Sequence, residues 1–188
     1  MSPQATRHEV TFGPAGIDVP GINYTRTWDW PAAAAVPGKS ISLSGWTGPS
    51  AVVRYDSGRK TTLLNLEQVT GSVYVRSLAP HIGSIGFEYY DRYENLLAIT
   101  GEPQSFGITW QRYSITRTAP SKAASLIFRV DLSAANTYVR LAAPQVEAGA
   151  SVSAWEPGGA SPEVIIDQMP ATTPRFPLRD VSISILEV

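Results

Sequence analysis

The sequence predicts an all-β fold, an antiparallel sandwich, on two observations. Glycine and proline each occur 15 times among the 188 residues. This density disfavours long helices, because proline removes a backbone donor and glycine weakens helix interiors. Between these residues lie short segments in which apolar and polar side chains alternate, as they do in half-buried strands. Many short strands joined by turns are typical of a sandwich.

The individual strands follow from this alternation. In Ser40–Ser44, Ile41 and Leu43 alternate with serines, so that one face is apolar. Thr61–Gln68 is ambiguous between a strand and one or two helical turns, and Ala32–Val36 is too tightly bracketed by prolines for a stable helix. Further strands are predicted at His8–Phe12, Ile22–Trp28, Ala51–Tyr55, Ser72–Arg76, Ile85–Tyr89, Phe106–Arg117, Ala124–Leu132 and Tyr138–Ala142.

The C-terminal region differs in character. Pro162–Ile166 is a short apolar run, and MPATTPRFP after it is predicted to be a proline-rich linker. Asp180–Val188 alternates but carries apolar residues on both faces, so we expect it to join a sheet, either its own or that of a neighbour. The predicted division is an N-terminal extension (1–36), a sandwich (37–159) and a linker with an assembly strand (160–188).

Composition excludes several classes of function. The formal net charge is −1 and no basic stripe is present, which disfavours nucleic acid and polybasic membrane attachment. Cysteine is absent, which excludes disulfides and thiolate chemistry. No apolar run is long enough to insert into a membrane, and the N-terminus does not resemble a signal peptide. We therefore expect a protein that folds in a cytoplasm.

Catalytic motifs are also missing from the sequence. The two histidines, His8 and His81, lie outside any zinc or nucleophile motif, and no serine has a GxSxG context. Acidic pairs could be assembled from Glu88, Asp91, Glu94 or Glu102, but many chains of this size supply such a pair. The sequence therefore predicts a protein that is not an enzyme.

Four segments resemble one family in the order in which they occur. They are PGKSISLSGW, FEYYDRYENLL, ITWQRYSITRTAPSKAASLIFRV and LAAPQVEAGASVSAWEPGG, and together they span about Pro37 to Gly159. They resemble the jelly-roll domain of bacteriophage tail proteins, which is similar to carbohydrate-binding modules of secreted glycosidases. The chain departs from this pattern at Glu94, where the family often has glycine. The C-terminal segment resembles tails of minor tail proteins from phages of Actinobacteria.

The resemblance implies a β-sandwich of jelly-roll type and a structural role. The implied protein is a minor tail or tail-tip component of the virion, assembled in the host cytoplasm. Its implied partners are other phage virion proteins, further copies of itself as a homo-oligomer, and host cell-wall glycan. Two alternatives stay open: a non-catalytic carbohydrate-binding module, and a capsid decoration or head-fibre protein.

Candidate ligand or interface residues fall in two groups. Trp28, Asp29 and Trp30 could form a sugar platform, with rings stacked on a pyranose face and the acid bonding to hydroxyls, or they could anchor a protein interface; plain packing is the alternative. The second group combines aromatic and charged side chains near a turn, and a solvated turn is its simplest interpretation. Its members are Tyr89, Tyr90, Asp91, Arg92 and Tyr93.

Four residues of the resembling motifs are interpreted as structural. Trp110 and Trp155 are expected to be buried or to seal an edge, since tryptophan is usually highly buried. Arg112, two residues from Trp110, is expected to brace the strand through a cation–π contact or a salt bridge. The resemblance also implies that Glu147 lies near a structural calcium, although calcium needs six or more oxygen ligands and no EF-hand-type loop is present.

Overall fold

The computed structural model describes most of the chain between Thr6 and Glu187. The chain forms two compact units, Met1–Gly158 and Gly159–Val188. Among the described residues, no helix is long and apolar enough to cross a bilayer. The described ranges are 6–9, 17–18, 23–34, 40–46, 48–55, 57–58, 60–64, 66–133, 138–155, 164–168, 171–175, 178–181 and 184–187.

Twelve strands are described in the first unit, and they form two antiparallel sheets, as the alternation predicts. Sheet A has the order β10-β7-β12-β4-β3, with β1 also paired to β12, and sheet B has the order β2-β5-β11-β8-β9, with β6 also paired to β11. The strands are β1 Thr6–Glu9, β2 Ile17–Asp18, β3 Asn23–Thr27, β4 Ser40–Ser44, β5 Ser50–Tyr55, β6 Thr61–Thr62, β7 Gln68–Ser77, β8 His81–Tyr90, β9 Leu96–Phe106, β10 Gln111–Thr118, β11 Ser125–Ser133 and β12 Val139–Ala148.

The core lies between the inner faces of the two sheets. Ile41 and Leu43 from β4 are fully buried there, and Phe87 and Phe128 from sheet B pack against each other with ring centroids 5.7 Å apart. Gly71 of β7 faces these rings, and a Cβ at that position would lie 2.7 Å from Phe128. The β-sandwich that the sequence predicts is thus confirmed, with its apolar stripes facing inward.

A bulge in β12 explains an irregularity in the alternation of the sequence. Leu141 and Val146 are both in the core although their spacing is odd. The register with β7 shifts between Ala142 and Gln145, and Ala143 has a positive φ of 48°. The extra residue reverses the alternation, as bulges do, and turns Gln145 towards the outer face.

The predicted strand Phe106–Arg117 is confirmed from Gln111 onward and is wrong before it, because the segment contains a crossing between sheets. β9 ends at Phe106 in sheet B and β10 begins at Gln111 in sheet A. The sequence also gave no sign of most of β9, which contains Gly101 and Pro103. Both residues are tolerated because β9 is the last strand in the order of its sheet, where a ladder bond to a further strand is not needed.

The predicted N-terminal extension, 1–36, contributes strands to the sandwich. β3 pairs with β4, and β1 pairs with β12, both in sheet A. β2 pairs with β5 in sheet B. Backbone pairing of this kind makes the N-terminal residues part of the two sheets instead of a separate region.

The second unit consists of two antiparallel pairs, β13 Val164–Gln168 with β16 Ser184–Glu187, and β14 Ala171–Arg175 with β15 Leu178–Val181. Two predictions are corrected here. The proline-rich linker contains the strand β14, since an extended proline-rich segment can pair where its amide is not needed. The single strand expected at Asp180–Val188 is divided into β15 and β16, each with a partner within the chain.

Candidate functional site

The outer face of sheet A carries an unusual set of aromatic and charged side chains. Because Val73 and Val75 of β7 point into the core, Tyr74 and Arg76 point outward. Arg140 of β12 lies directly opposite Arg76 in the ladder, and Arg112 of β10 lies opposite Tyr74. Three strands of one sheet therefore place these groups side by side.

Part of this face is covered by the chain itself. Trp155 is buried and packs edge-on against Trp30, with ring centroids 5.2 Å apart. Both rings belong to a second apolar cluster with Tyr74, Ala142 and Trp110. Trp30 therefore packs within the fold, against Trp155. Trp155 closes this face, as the sequence predicts for a motif tryptophan.

Arg112 braces the covered part of the face. Its guanidinium lies 5.6 Å from the ring centroid of Tyr74 and donates hydrogen bonds to Gln145 Oε1 and Ser72 Oγ, both at 2.9 Å. It also donates to the carbonyl of Ser153. The cation–π partner is thus Tyr74, because Trp110 precedes the strand and its indole turns towards Asp29 instead.

Glu147, near which the resemblance implied calcium, is buried beside this brace. Its two carboxylate oxygens each accept a hydrogen bond from the Ser153 amide, at 3.2 Å. Burial lowers the pKa of Arg112, and the charge of Glu147 raises it by a smaller amount. The described residues contain no group of three or more acidic or histidine side chains suited to a metal. The Ser153 amide and the Arg112 guanidinium are thus the neighbours that the structure gives to the Glu147 carboxylate.

The remaining part of the face holds a cluster centred on Asp29. Asp29 Oδ2 accepts hydrogen bonds from Arg76, at 3.0 Å, and from Arg140. Its other oxygen accepts from Trp110 Nε1 at 3.3 Å, and Arg140 also donates to the hydroxyl of Tyr138 at 3.4 Å. One carboxylate therefore lies between two guanidinium groups that come from adjacent strands.

The electrostatics of the cluster follow from this geometry. Partial burial raises the pKa of Asp29, but the hydrogen bonds from Trp110 and Arg140 and the charges of Arg140 and Arg76 outweigh it. The pKa of Asp29 therefore lies below its usual value. The hydrogen bond to Tyr138 and the Asp29 carboxylate together raise the pKa of Arg140. Asp29 and Arg140 therefore each stabilise the charged form of the other.

A surface cleft of about 290 Å³ opens beside this cluster, and we call it the arginine cleft. Leu78 and Ile108 on its rim are 77% and 58% exposed. Trp28, next to Asp29 in the chain, is 80% exposed. The volume is close to the lower end of the range for ligand pockets, roughly 300–1,000 Å³. The lining residues are Arg76, Ser77, Leu78, Ile108, Tyr138 and Arg140.

The second predicted group, Tyr89 to Tyr93, is divided by the structure. Tyr89 is fully buried in the core, and Tyr90 donates a hydrogen bond to Glu88 on the outer face of sheet B. Asp91 caps the turn by accepting from the amides of Tyr93 and Asn95. Tyr89 is therefore part of the core, whereas Asp91 holds the turn and also lines the cavity next to it.

Arg92 and Tyr93 remain at the surface, beside a cavity of about 650 Å³. The Arg92 guanidinium lies 4.6 Å from the ring centroid of Tyr93, which is 67% exposed. The opposite wall is the turn Ser121–Ala124. We call this space the turn cavity. Its walls are two turns, whereas the arginine cleft takes both of its arginines from paired strands, and groups on strands are held more rigidly.

The sequence interpretation missed Arg76, Tyr138 and Arg140. A signal was present, since the tripeptide Tyr-Val-Arg occurs twice, at Tyr74–Arg76 and at Tyr138–Arg140. In both strands the valine points into the core, so that tyrosine and arginine share the outer face. Only the ladder shows that the two arginines lie opposite each other.

Comparison with known proteins shows similarity of fold alone. No family model and no curated protein matches the sequence. The CBM22-1 xylan-binding domain of Paenibacillus barcinonensis Xyn10C is 14% identical over 80% of this chain and 95% of that domain, with a TM-score of 0.55. The C-terminal family 22 carbohydrate-binding module of Clostridium thermocellum Xyn10B is 10% identical, over 80% and 94%, with a TM-score of 0.54.

A phage protein has the same fold. The enzymatically active domain of tailspike protein 4 from bacteriophage CBA120 is 15% identical over 70% of this chain, with a TM-score of 0.52. This chain spans only 19% of that domain. The jelly-roll sandwich of carbohydrate-binding modules is therefore the fold of this chain, as the four sequence segments predict.

Proposed function

We propose that this protein is a non-catalytic glycan-binding module and that the arginine cleft is its binding surface. The observation that carries the proposal is the position of Trp28, an aromatic ring 80% exposed to solvent, next to Asp29 and its two arginines. A large exposed aromatic ring is informative, because burial of such a ring is strongly favoured.

The chemistry of the cleft fits a sugar. An aromatic or aliphatic surface can cover the apolar face of a pyranose ring; Leu78 and Ile108 line the cleft, and the exposed Trp28 is the chain neighbour of Asp29. Guanidinium and carboxylate groups can bond to hydroxyls and thereby set the orientation. The likeness of fold to carbohydrate-binding modules, one of them described as xylan-binding, supports this class of ligand.

The test is binding of the full chain to a glycan panel by isothermal titration calorimetry, with Trp28→Ala as the variant. We expect at least a tenfold loss of affinity, since removal of an aromatic ring at the centre of a site costs about 2 kcal/mol or more. Stability should hardly change, because the ring is exposed. Product analysis after incubation should show that the glycan is intact.

The matched control is Tyr93→Ala, which removes another exposed aromatic ring at the turn cavity. Binding should be unaffected by this change. If Tyr93→Ala abolishes binding and Trp28→Ala does not, the glycan site is the turn cavity. A panel in which no glycan binds contradicts the proposed function itself.

A second role, as a structural component of a phage virion, rests on the sequence resemblance. The tailspike domain with the same fold supports it. In this role the module would lie in the tail, assemble with other virion proteins as a homo-oligomer, and contact glycan on the host surface. Mass spectrometry of purified virions, with light scattering on the isolated chain, tests both parts. Absence from particles and a monomer in solution would contradict them.

A further inference from the structure

Two positive charges lie opposite each other at the arginine cleft. Arg76 and Arg140 are directly paired across β7 and β12. Like charges at such positions destabilise a sheet unless an anion lies between them. Among the described residues, Asp29 is the only acid in a salt bridge with either arginine. The cluster therefore carries two positive charges for one carboxylate.

The carboxylate and the arginines differ in how they are held. Arg76 and Arg140 project from strands in the middle of sheet A, whereas Asp29 follows the end of β3 in irregular backbone. The Arg76, Arg140 and Asp29 side chains are 42%, 26% and 29% exposed. The anion is thus the group that can move away from the cluster, while the arginines keep their positions.

Arg76 and Arg140 also have more N–H donors than the hydrogen bonds that they make to described residues. A guanidinium group has five N–H donors. Among the described residues, Arg76 donates one hydrogen bond and Arg140 donates two. Both arginines line the cleft. A planar carboxylate from outside could accept two parallel hydrogen bonds from either of them.

We propose that the arginine cleft selects acidic glycans, in which a uronic acid carboxylate takes the place of the Asp29 side chain between Arg76 and Arg140. The Asp29 carboxylate occupies this position in the free protein and marks where an anion is stabilised. The sugar ring would then lie against Leu78 and Ile108, which line the cleft and are exposed. This inference rests on the proposed function and specifies its class of ligand.

The experiment compares each acidic polysaccharide with its own neutral form. Polygalacturonate, alginate and hyaluronan are tested beside the same polymers after chemical reduction of their carboxyl groups, by calorimetry with the full chain. We expect at least one acidic form to bind about tenfold or more tightly than its reduced counterpart, since a charge-assisted pair contributes at least this factor. Affinity should also fall with added salt.

Three variants locate the effect. Arg76→Gln and Arg140→Gln should each reduce the preference for the acidic over the reduced form about tenfold. Asp29→Asn should raise the affinity for the acidic form several-fold, because the competing carboxylate is lost. Arg92→Gln, at the turn cavity, is the matched control and should change nothing. Near-ultraviolet circular dichroism checks that each variant is folded.

The outcomes separate this inference from the function on which it rests. Equal binding of acidic and reduced forms, or a preference that survives both arginine substitutions, overturns the selection of acidic glycans. Binding of neutral glycans alone overturns it too and leaves the proposed function intact. Binding of an acidic peptide as tight as that of the acidic glycan would show that only charge is read, which also contradicts the inference. If Asp29→Asn weakens binding of the acidic glycan, Asp29 contacts the sugar and is not displaced by it, which contradicts the inference.

Discussion

A carboxylate bonded by two arginines lies on the outer face of each sheet, and the two carboxylates differ in exposure; on sheet B, Arg129 also pairs with Asp131. On sheet B, Glu88 Oε1 accepts from Arg54 and from Arg129, both at 2.8 Å, and the Glu88 side chain is only 3% exposed. On sheet A, Asp29 accepts from Arg76 and Arg140 and is 29% exposed. The same chemical groups therefore occupy two different environments.

The difference in exposure follows from where each carboxylate lies in the chain. Glu88 lies in the middle of β8, and its three neighbours in the network, Arg54, Arg129 and Tyr90, lie on strands of the same sheet. Every member is held by backbone pairing, so the network can be complete without a ligand. Asp29 lies outside the strands, and the two arginines that bond to it have further N–H donors that face the arginine cleft. We infer that the Glu88 network is structural, whereas the Asp29 cluster can exchange its anion.

The largest effect is expected from neutralising each carboxylate in turn. Glu88→Gln should destabilise the protein by about 2–3 kcal/mol, because Arg54 and Arg129 lose the buried charge that they share, although Arg129 keeps Asp131. Asp29→Asn should cost less than about 1 kcal/mol, since partly exposed ion pairs contribute little. Urea unfolding of the two variants measures the difference. Equal losses of free energy would contradict the distinction between the two clusters.

The pH dependence of stability gives a second comparison. Burial raises the pKa of Glu88, but the hydrogen bonds from Tyr90 and Arg54 and the arginine charges outweigh it, so the pKa lies below 4.5. The stability that this group contributes is present above about pH 4.5 and is lost as the pH falls through the lowered pKa. In Glu88→Gln this loss should be absent, whereas Asp29→Asn should retain it.

His81 also makes stability depend on pH, at higher pH than Glu88, and its contribution has to be separated from that of Glu88. His81 is buried between Trp46 and Phe106, and burial lowers its pKa below 6.5. The unfolded chain therefore binds a proton first, and stability falls as the pH drops from about 6.5 through the lowered pKa. His81→Phe should remove this upper step and leave the step of Glu88. Thermal melts between pH 8 and pH 3 resolve both steps.

The smallest effect concerns an ion pair whose carboxylate is mostly exposed. Lys60 bonds to Glu94, whose side chain is 68% exposed, and Glu94 has a positive φ of 69°. Glu94→Gly should stabilise the protein by about 0.5–1 kcal/mol, because relief of the left-handed backbone exceeds the loss of an exposed pair. Glu94→Gln, the control, keeps the strain and should change stability by less than about 0.5 kcal/mol. A destabilised glycine variant would show that the exposed pair matters more than the backbone.

Glu94 also shows what a departure from a family pattern means. The resemblance placed a glycine at this position, and the structure retains the left-handed conformation that favours glycine. The hairpin therefore keeps its shape, with Asp91 accepting from the amides that follow it. The turn was predictable from the sequence, whereas the conformation of one residue in it was not.

The sequence by itself determined the class of fold and most of the strands. Alternation in segments such as Ser40–Ser44 reflects burial of one face, and burial is a property that each strand carries locally. The same information failed at β9, because an edge strand needs no continuous apolar face, and at the crossing before β10, because alternation does not show which sheet a strand joins. It also named Trp28 and Asp29 as binding candidates, since their chemistry is visible in the chain.

Only the tertiary structure decided which of the candidate residues can act together. Tyr89 and Tyr90 are neighbours in sequence, but successive side chains of a strand point to opposite faces, so one lies in the core and the other on the surface. Arg76 and Arg140 are 64 positions apart by their numbers and lie opposite each other in the ladder. The register of β7 with β12 places them beside Asp29, and register depends on pairing partners that no single segment contains.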